Sequence, residues 1–243
     1  MRAPKADHAG VVAVSCRGIV KDVVSGGTRT RILHGIDLDV LAGEMTFLVG
    51  PSGCGKTTLI SIMAGLLPGE AGAIELFGSH LGKLGQAGMV RFRGAHVGIV
   101  FQKLNLFPAL TVTENVAIPL LVQGERAARA EIRANDLLFE VGLAAHAGMY
   151  PSQLSVGEQE RVAIARALIH EPALVICDEP TAALDMASGY GVMQLLRGVA
   201  VSRDRAVIVV THDNRITPFA DRIAHMSDGR ITRVQARLDR EAA

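Results

Sequence analysis

The chain has 243 residues, of which 49% are hydrophobic and 20% charged, with a formal net charge of +1. That length suits one large α/β domain or two small ones, and that composition suits a packed globular protein. It excludes a broad basic surface for nucleic acid, a run apolar enough to cross a bilayer, and a disulfide or zinc framework, since Cys16, Cys54 and Cys177 are odd in number and scattered.

The N-terminus carries Arg2, Lys5 and Asp7 with no apolar core after them, so no secretory signal is expected and a reducing cytoplasm is the natural compartment. Residues 11–16 form a short apolar run and residues 32–40 alternate well enough for a strand, with a Ser25-Gly26-Gly27-Thr28 turn between them. A second turn, Ala42-Gly43-Glu44, leads to the next strand, so the chain is expected to begin with a small antiparallel β region. The first aromatic residue is Phe47. No ring upstream can stack on a base, and Arg29 and Arg31, whose guanidinium planes can stack, read more simply as solvated loop arginines.

Residues 45–49 read as a buried strand, and Gly50-Pro51-Ser52-Gly53-Cys54-Gly55-Lys56-Thr57 follows directly. This is the phosphate-binding loop pattern in the strand, loop and helix context it requires. Glycines let backbone N–H groups converge on phosphate oxygens, and the helix that opens at Thr57-Thr58 aims its positive end at them. Lys56 is placed to reach the β and γ phosphates, and the Thr57 hydroxyl to ligate Mg²⁺. Pro68-Gly69 lies just beyond that helix.

Residues 73–78 read as strand and turn, followed by a polar connection with Arg91 and Arg93. A buried strand over residues 96–101 ends at Gln102. Residues 111–121 and 125–141 read as helices, the first opened by a Thr111-x-x-Glu114 capping box. Residues 103–158 are therefore expected to be a helical subdomain inserted in a core of residues 1–102 and 159–243. Ser155-Val156-Gly157-Glu158 is a second capping box, opening a helix to about His170. Its local sequence favours an ordinary cap over an anion site.

Residues 173–177 form a strongly apolar run that delivers Asp178-Glu179 at its C-terminal end, where ligands bind in open α/β sheets. Asp178 is suited to hold Mg²⁺ and Glu179 to orient or deprotonate an attacking water. Pro180 is expected to keep Glu179 extended. Residues 206–210 form another buried run that delivers Thr211-His212-Asp213, and residues 222–234 read as a closing hairpin before a loose tail over residues 238–243.

These pieces in this order resemble the ATPase subunit of ATP-binding cassette (ABC) transporters over nearly the whole chain. The resemblance rests on Gly50 to Thr57 (Walker A), Gln102 (Q-loop), Leu154-Ser155-Val156-Gly157-Glu158 (signature), residues 174–179 (Walker B), Ala183-Leu184-Asp185 (D-loop) and His212 (switch). It implies a P-loop NTPase core with a mainly parallel sheet, beside the antiparallel region and helical subdomain. It also displaces the ordinary cap at Ser155, because in this family the signature helix meets the γ-phosphate held by a partner copy. ATP and Mg²⁺ are the implied cofactors. Lys56 and the loop amides would bind phosphates, and Thr57, Gln102 and Asp178 would manage Mg²⁺. Glu179 would be the base, His212 would sense the γ-phosphate, and Asp185 would touch the opposite subunit.

Two copies would close head to tail around ATP on the inner face of the cell membrane, docked through residues 101–116 to an integral-membrane permease. The segment from Phe101 to Val116 is similar to the branch that drives lipoprotein release and macrolide export. The alternative is a regulatory ATPase that signals through a membrane partner without moving a solute. This chain departs from the family pattern at Val156, where a glycine is usual, at Glu160, where Gln is common, and at the base platform, where Val23 stands near the place of an aromatic ring.

Overall fold

The computed structural model describes residues 10–236. Two strands, β1 (Val12–Ser25) and β2 (Thr28–Leu41), form a long antiparallel hairpin. Both are longer than their apolar runs, because polar residues toward the tip continue the ladder to Ser25 opposite Thr28. β3 (Met45–Val49) leads through the glycine loop to α1 (Lys56–Met63). β4 (Ala71–Leu76) pairs with β1, and β5 (Ser79–His80) completes a four-stranded sheet in the order β2-β1-β4-β5.

The polar connection is a helix, α2 (Gln86–His96). None of its residues is buried, so it lacks the apolar stripe by which a helix is recognised in sequence. Then come β6 (Val97–Val100), α3 (Val112–Val122), α4 (Ala127–Glu140), α5 (Val156–Leu168), β7 (Leu174–Asp178), α6 (Met186–Ala200), β8 (Ala206–Thr211) and the hairpin β9 (Arg222–Ser227) and β10 (Arg230–Ala236). The residues expected as a tail beyond Leu238 lie outside the described range. Among the described residues no helix is long and apolar enough to cross a membrane.

The larger sheet has the order β10-β9-β3-β8-β7-β6, and all its pairs are parallel except β9 with β10. β7 and β8 are continuous apolar runs because both their faces are covered. Leu174, Ile176, Ile208 and Val210 pack with α1 and the antiparallel sheet. Val175, Cys177, Val207 and Val209 face α5 and α6. A third core joins α3, α4 and another face of α5 through Val116, Leu138, Val162 and Ala165.

Helix α5 lies close on β6. A Cβ on Gly98 would sit 2.1 Å from the Ala167 carbonyl oxygen. Gly98→Ala is therefore expected to destabilise the fold by about 1–3 kcal/mol, measured by denaturant unfolding, because backbone must move to admit a methyl group.

Candidate functional site

The site lies at the C-terminal ends of β3, β7 and β8, where parallel strands deliver their last residues side by side. The loop after β3 needs its glycines for separate reasons. Gly53 and Gly55 have φ of 78° and 103°, and a Cβ on Gly50 would meet the Met226 carbonyl oxygen at 2.1 Å. Gly55 forms the N-cap of α1, so the first amides of the helix open toward the cleft. Lys56 is 7% exposed, and its Nζ donates to the carbonyls of Gly50 and Pro51 at 2.8 and 2.9 Å. Cys54 is buried under the loop.

A cleft of 580 Å³ is walled by Ser52, Gly53, Gly55, Lys56, Thr57 and Thr58 on the loop side and by Gln102, Asp178, Glu179, Val210 and His212 on the other. The Thr57 hydroxyl lies 3.3 Å from Asp178 Oδ2. Burial raises the Asp178 carboxyl above its usual range, partly offset by the Thr57 hydroxyl. His212 Nδ1 lies 2.7 Å from Glu179 Oε1, and the Thr211 hydroxyl donates to Oε2 at 3.4 Å. Thr211 is fully buried at the end of β8, and its hydroxyl also accepts from the Asp213 amide. Sequence reasoning gives Thr211 no role. The signal is nonetheless there, a hydroxyl at the end of a buried strand beside His212.

Glu179 is not extended as the following proline suggests. Its φ is +55°, in the left-handed region. Its amide still donates to the Val210 carbonyl at 2.9 Å, so the chain turns only after the β7–β8 ladder is complete. Such a conformation costs roughly 1–3 kcal/mol in a non-glycine residue. It accompanies the contact that puts the carboxylate beside His212.

Val23 and Ile32 line the same cleft and give it an aliphatic wall. Nothing in the sequence singles out Ile32 for that place. Arg29 and Arg31 do not stack there. Both bond the Asp22 carboxylate, at 2.6 and 2.9 Å, and with His34 they bound a separate concavity. These guanidiniums hold Asp22 below the usual carboxylate range, Arg31 contributing most.

Ser155, Gly157, Glu158 and Asp185 do not join the cleft. Ser155 caps α5, with its amide and hydroxyl donating to Glu158 Oε2 at 2.8 and 2.7 Å. Those bonds hold the Glu158 carboxyl below its usual range. A Cβ on Gly157 would meet Leu184 and Ser188 only at 3.9 and 4.0 Å, so nothing among the described residues demands glycine there. Asp185 caps α6 through the amides of Ala187 and Ser188. The start of α5 and the start of α6 are thus neighbours on one surface, and Val156 and Met186 are exposed there.

Residues 33–182 match the family model described as ABC transporter. The chain is 38% identical over 221 residues to the lipoprotein-releasing system ATP-binding protein LolD of Chromohalobacter salexigens, covering 91% of this chain and 93% of that one. It is 42% identical over 214 residues to an uncharacterized ABC transporter ATP-binding protein of Mycobacterium tuberculosis. That match covers 88% of this chain but only 64% of the mycobacterial protein's length. Among solved structures, the dimeric post-hydrolysis state of the ATP-binding cassette MJ0796, bound to ADP and Pi, superposes with a TM-score of 0.84 at 33% identity. That match covers 92% of this chain and 98% of the cassette.

Proposed function

The chain belongs to the ABC transporter family, and on that premise we propose that it is an ATP-hydrolysing subunit that works as a head-to-tail pair and drives a membrane permease. One observation carries the proposal. Phosphate loop, buried Asp178 and the Glu179–His212 pair share one cleft, while Ser155 and Gly157 stand on a different, exposed surface. The cleft is half of a site, and a second copy of α5 is what completes it. Leu154 to Glu158 then face the partner's γ-phosphate, and residues 103–158 act as the helical subdomain that carries them.

Within each cleft Lys56 exchanges its two carbonyl contacts for phosphate oxygens, and the amides of Gly53, Gly55, Thr57 and Thr58 take the remainder. The donor set also suits Mg²⁺. Thr57, Asp178 and Gln102 offer only oxygen ligands, the donor set a hard divalent cation takes. Bound Mg²⁺ would draw off charge developing on the phosphates. Glu179 accepts the proton of the attacking water. His212 and Thr211 hold Oε1 and Oε2 of Glu179 from the end of β8, which fixes the carboxylate at the cleft wall.

The similarity to lipoprotein-releasing proteins supports a permease of that branch, and hence work at the cytoplasmic face of the membrane. Detergent pull-down of the chain from membranes, with the partner identified by mass spectrometry, tests this. A permease in stoichiometric amount is expected. Recovery without any membrane protein would overturn the partner assignment, and a reconstituted complex that turns over ATP but moves no solute would favour the signalling role.

The aliphatic wall, read as the base end of the cleft, makes a further prediction. Val23→Tyr is expected to tighten ATP roughly fivefold or more, since base stacking contributes about 1–3 kcal/mol. Titration with a fluorescent ATP analogue measures it. An unchanged affinity would show that Val23 is not at the base.

A further inference from the structure

Gln102 sits on a short link between two fixed points. Upstream, β6 is locked in the parallel sheet as far as Val100. Downstream, the chain is gripped by side chains from two helices. Arg166, on α5, donates from its guanidinium to the carbonyls of Leu104 and Asn105. Asn115, on α3 and fully buried, accepts from the Phe107 amide at 2.8 Å and donates to the carbonyls of Phe107, Leu110 and Thr111 at 3.0, 3.1 and 2.9 Å. Asn105 takes a left-handed φ of 50°, which turns the segment between the two grips.

The Arg166 grip is on backbone. The groups it bonds are two main-chain carbonyls rather than a carboxylate. Most of the side chain is out of water, and that burial lowers its pKa. The two carbonyls satisfy a partly buried guanidinium, and the guanidinium in turn holds the loop. What it fixes is the backbone two residues beyond Gln102. Arg166 also lies on the same helix whose N-terminus carries Ser155 and Gly157.

We propose that Arg166 is a positioning residue that makes residues 104–105 part of the α5 body, so that the seat of α5 sets where Gln102 stands in the cleft. Each α5 then bears on two nucleotides. Its N-terminus meets the partner's phosphates, and through Arg166 it places Gln102 against its own chain's ATP and Mg²⁺. The proposal rests on the reading of Gln102 as a metal-managing residue, and its test separates the two.

The measurement is equilibrium binding of a fluorescent ATP analogue, once in EDTA and once in saturating Mg²⁺, for wild type, Gln102→Ala, Arg166→Ala, Arg166→Lys and the double variant Gln102→Ala/Arg166→Ala. Binding in EDTA is expected to stay within about twofold in every variant, because the phosphate loop is untouched. The extra tightening that Mg²⁺ brings is expected to fall about tenfold in both Gln102→Ala and Arg166→Ala, as for outer partners of metal ligands. The double variant is expected to be no worse than either single one, since both changes remove the same placement.

Arg166→Lys keeps one donor and is expected to lie between wild type and Arg166→Ala. Thermal melting checks folding, and if Arg166→Ala fails to fold, Arg166→Lys is read in its place. A normal Mg²⁺ effect in the Arg166 variants beside a reduced one in Gln102→Ala would overturn the proposal, as would equal losses in EDTA and Mg²⁺. A normal Mg²⁺ effect in Gln102→Ala would instead remove the Gln102 reading on which it stands.

Discussion

Replacing Glu179 with Gln is expected to lower ATP turnover by about 10²–10⁴-fold, the range for loss of a positioned general base, while ATP binding persists. Gln has the same shape and can still bond the His212 ring, which lies 2.7 Å from the native carboxylate. It cannot take up the proton of an attacking water. The phosphate loop and Thr57 keep their places, because none of their contacts runs through Glu179. Single-turnover hydrolysis with excess enzyme reads the chemical step alone. Turnover near the wild-type rate would remove Glu179 as the base. Loss of ATP binding together with turnover would assign it a structural role in shaping the end of β7.

The second large effect is on stability. Glu160 is 5% exposed on the face of α5 that packs against the parallel sheet, and its Oε1 has no hydrogen-bond partner. Burial pushes its pKa from 4.5 up to about 8. The folded chain therefore holds this proton more tightly than the unfolded chain. Below the unfolded pKa both states are protonated and the site costs nothing in ionisation. As pH rises through the window from 4.5 to about 8, stability is lost at about 1.4 kcal/mol per pH unit, and above that window the loss is constant. At pH 7 the loss is roughly 3 kcal/mol. Glu160→Gln removes the ionisation but leaves a buried amide to satisfy, at a cost of about 1 kcal/mol. The variant is thus expected to be about 2 kcal/mol more stable than wild type at pH 7, with the advantage growing to pH 8 and vanishing near pH 5. Urea unfolding of both proteins at pH 5, 7 and 8.5 measures it. A difference that does not change with pH would contradict the assignment of a buried, proton-holding carboxyl.

The parts of the site that can be read from sequence are those whose chemistry is local. The phosphate loop has a fixed spacing, and buried parallel strands announce themselves as unbroken apolar runs, so the delivery of Asp178-Glu179 and His212 to one edge follows from pattern alone. Both capping boxes form where Thr111 and Ser155 stand three residues ahead of a Glu. What escapes depends on geometry across elements. Helix α2 buries no residue, so periodicity has nothing to show. The positive φ of Glu179 runs against the local rule for a residue before proline, and tertiary context overrides it. Strand register turns Arg29 and Arg31 toward Asp22 and leaves Val23 and Ile32 at the cleft. The grip of Arg166 on Leu104 and Asn105 spans about sixty residues of sequence and bonds backbone, which carries no side-chain signature.

On the proposed reading, each cleft is completed by a second copy of the chain. Sedimentation of the Glu179→Gln protein, at a series of concentrations with and without ATP, tests it most directly, because the block in hydrolysis holds the closed state. A species of twice the chain mass is expected in ATP, with one nucleotide per chain, that falls back to single chains when ATP is removed or when Ser155 is replaced by Arg. A species of single-chain mass with ATP fully bound, at every concentration tried, would contradict it.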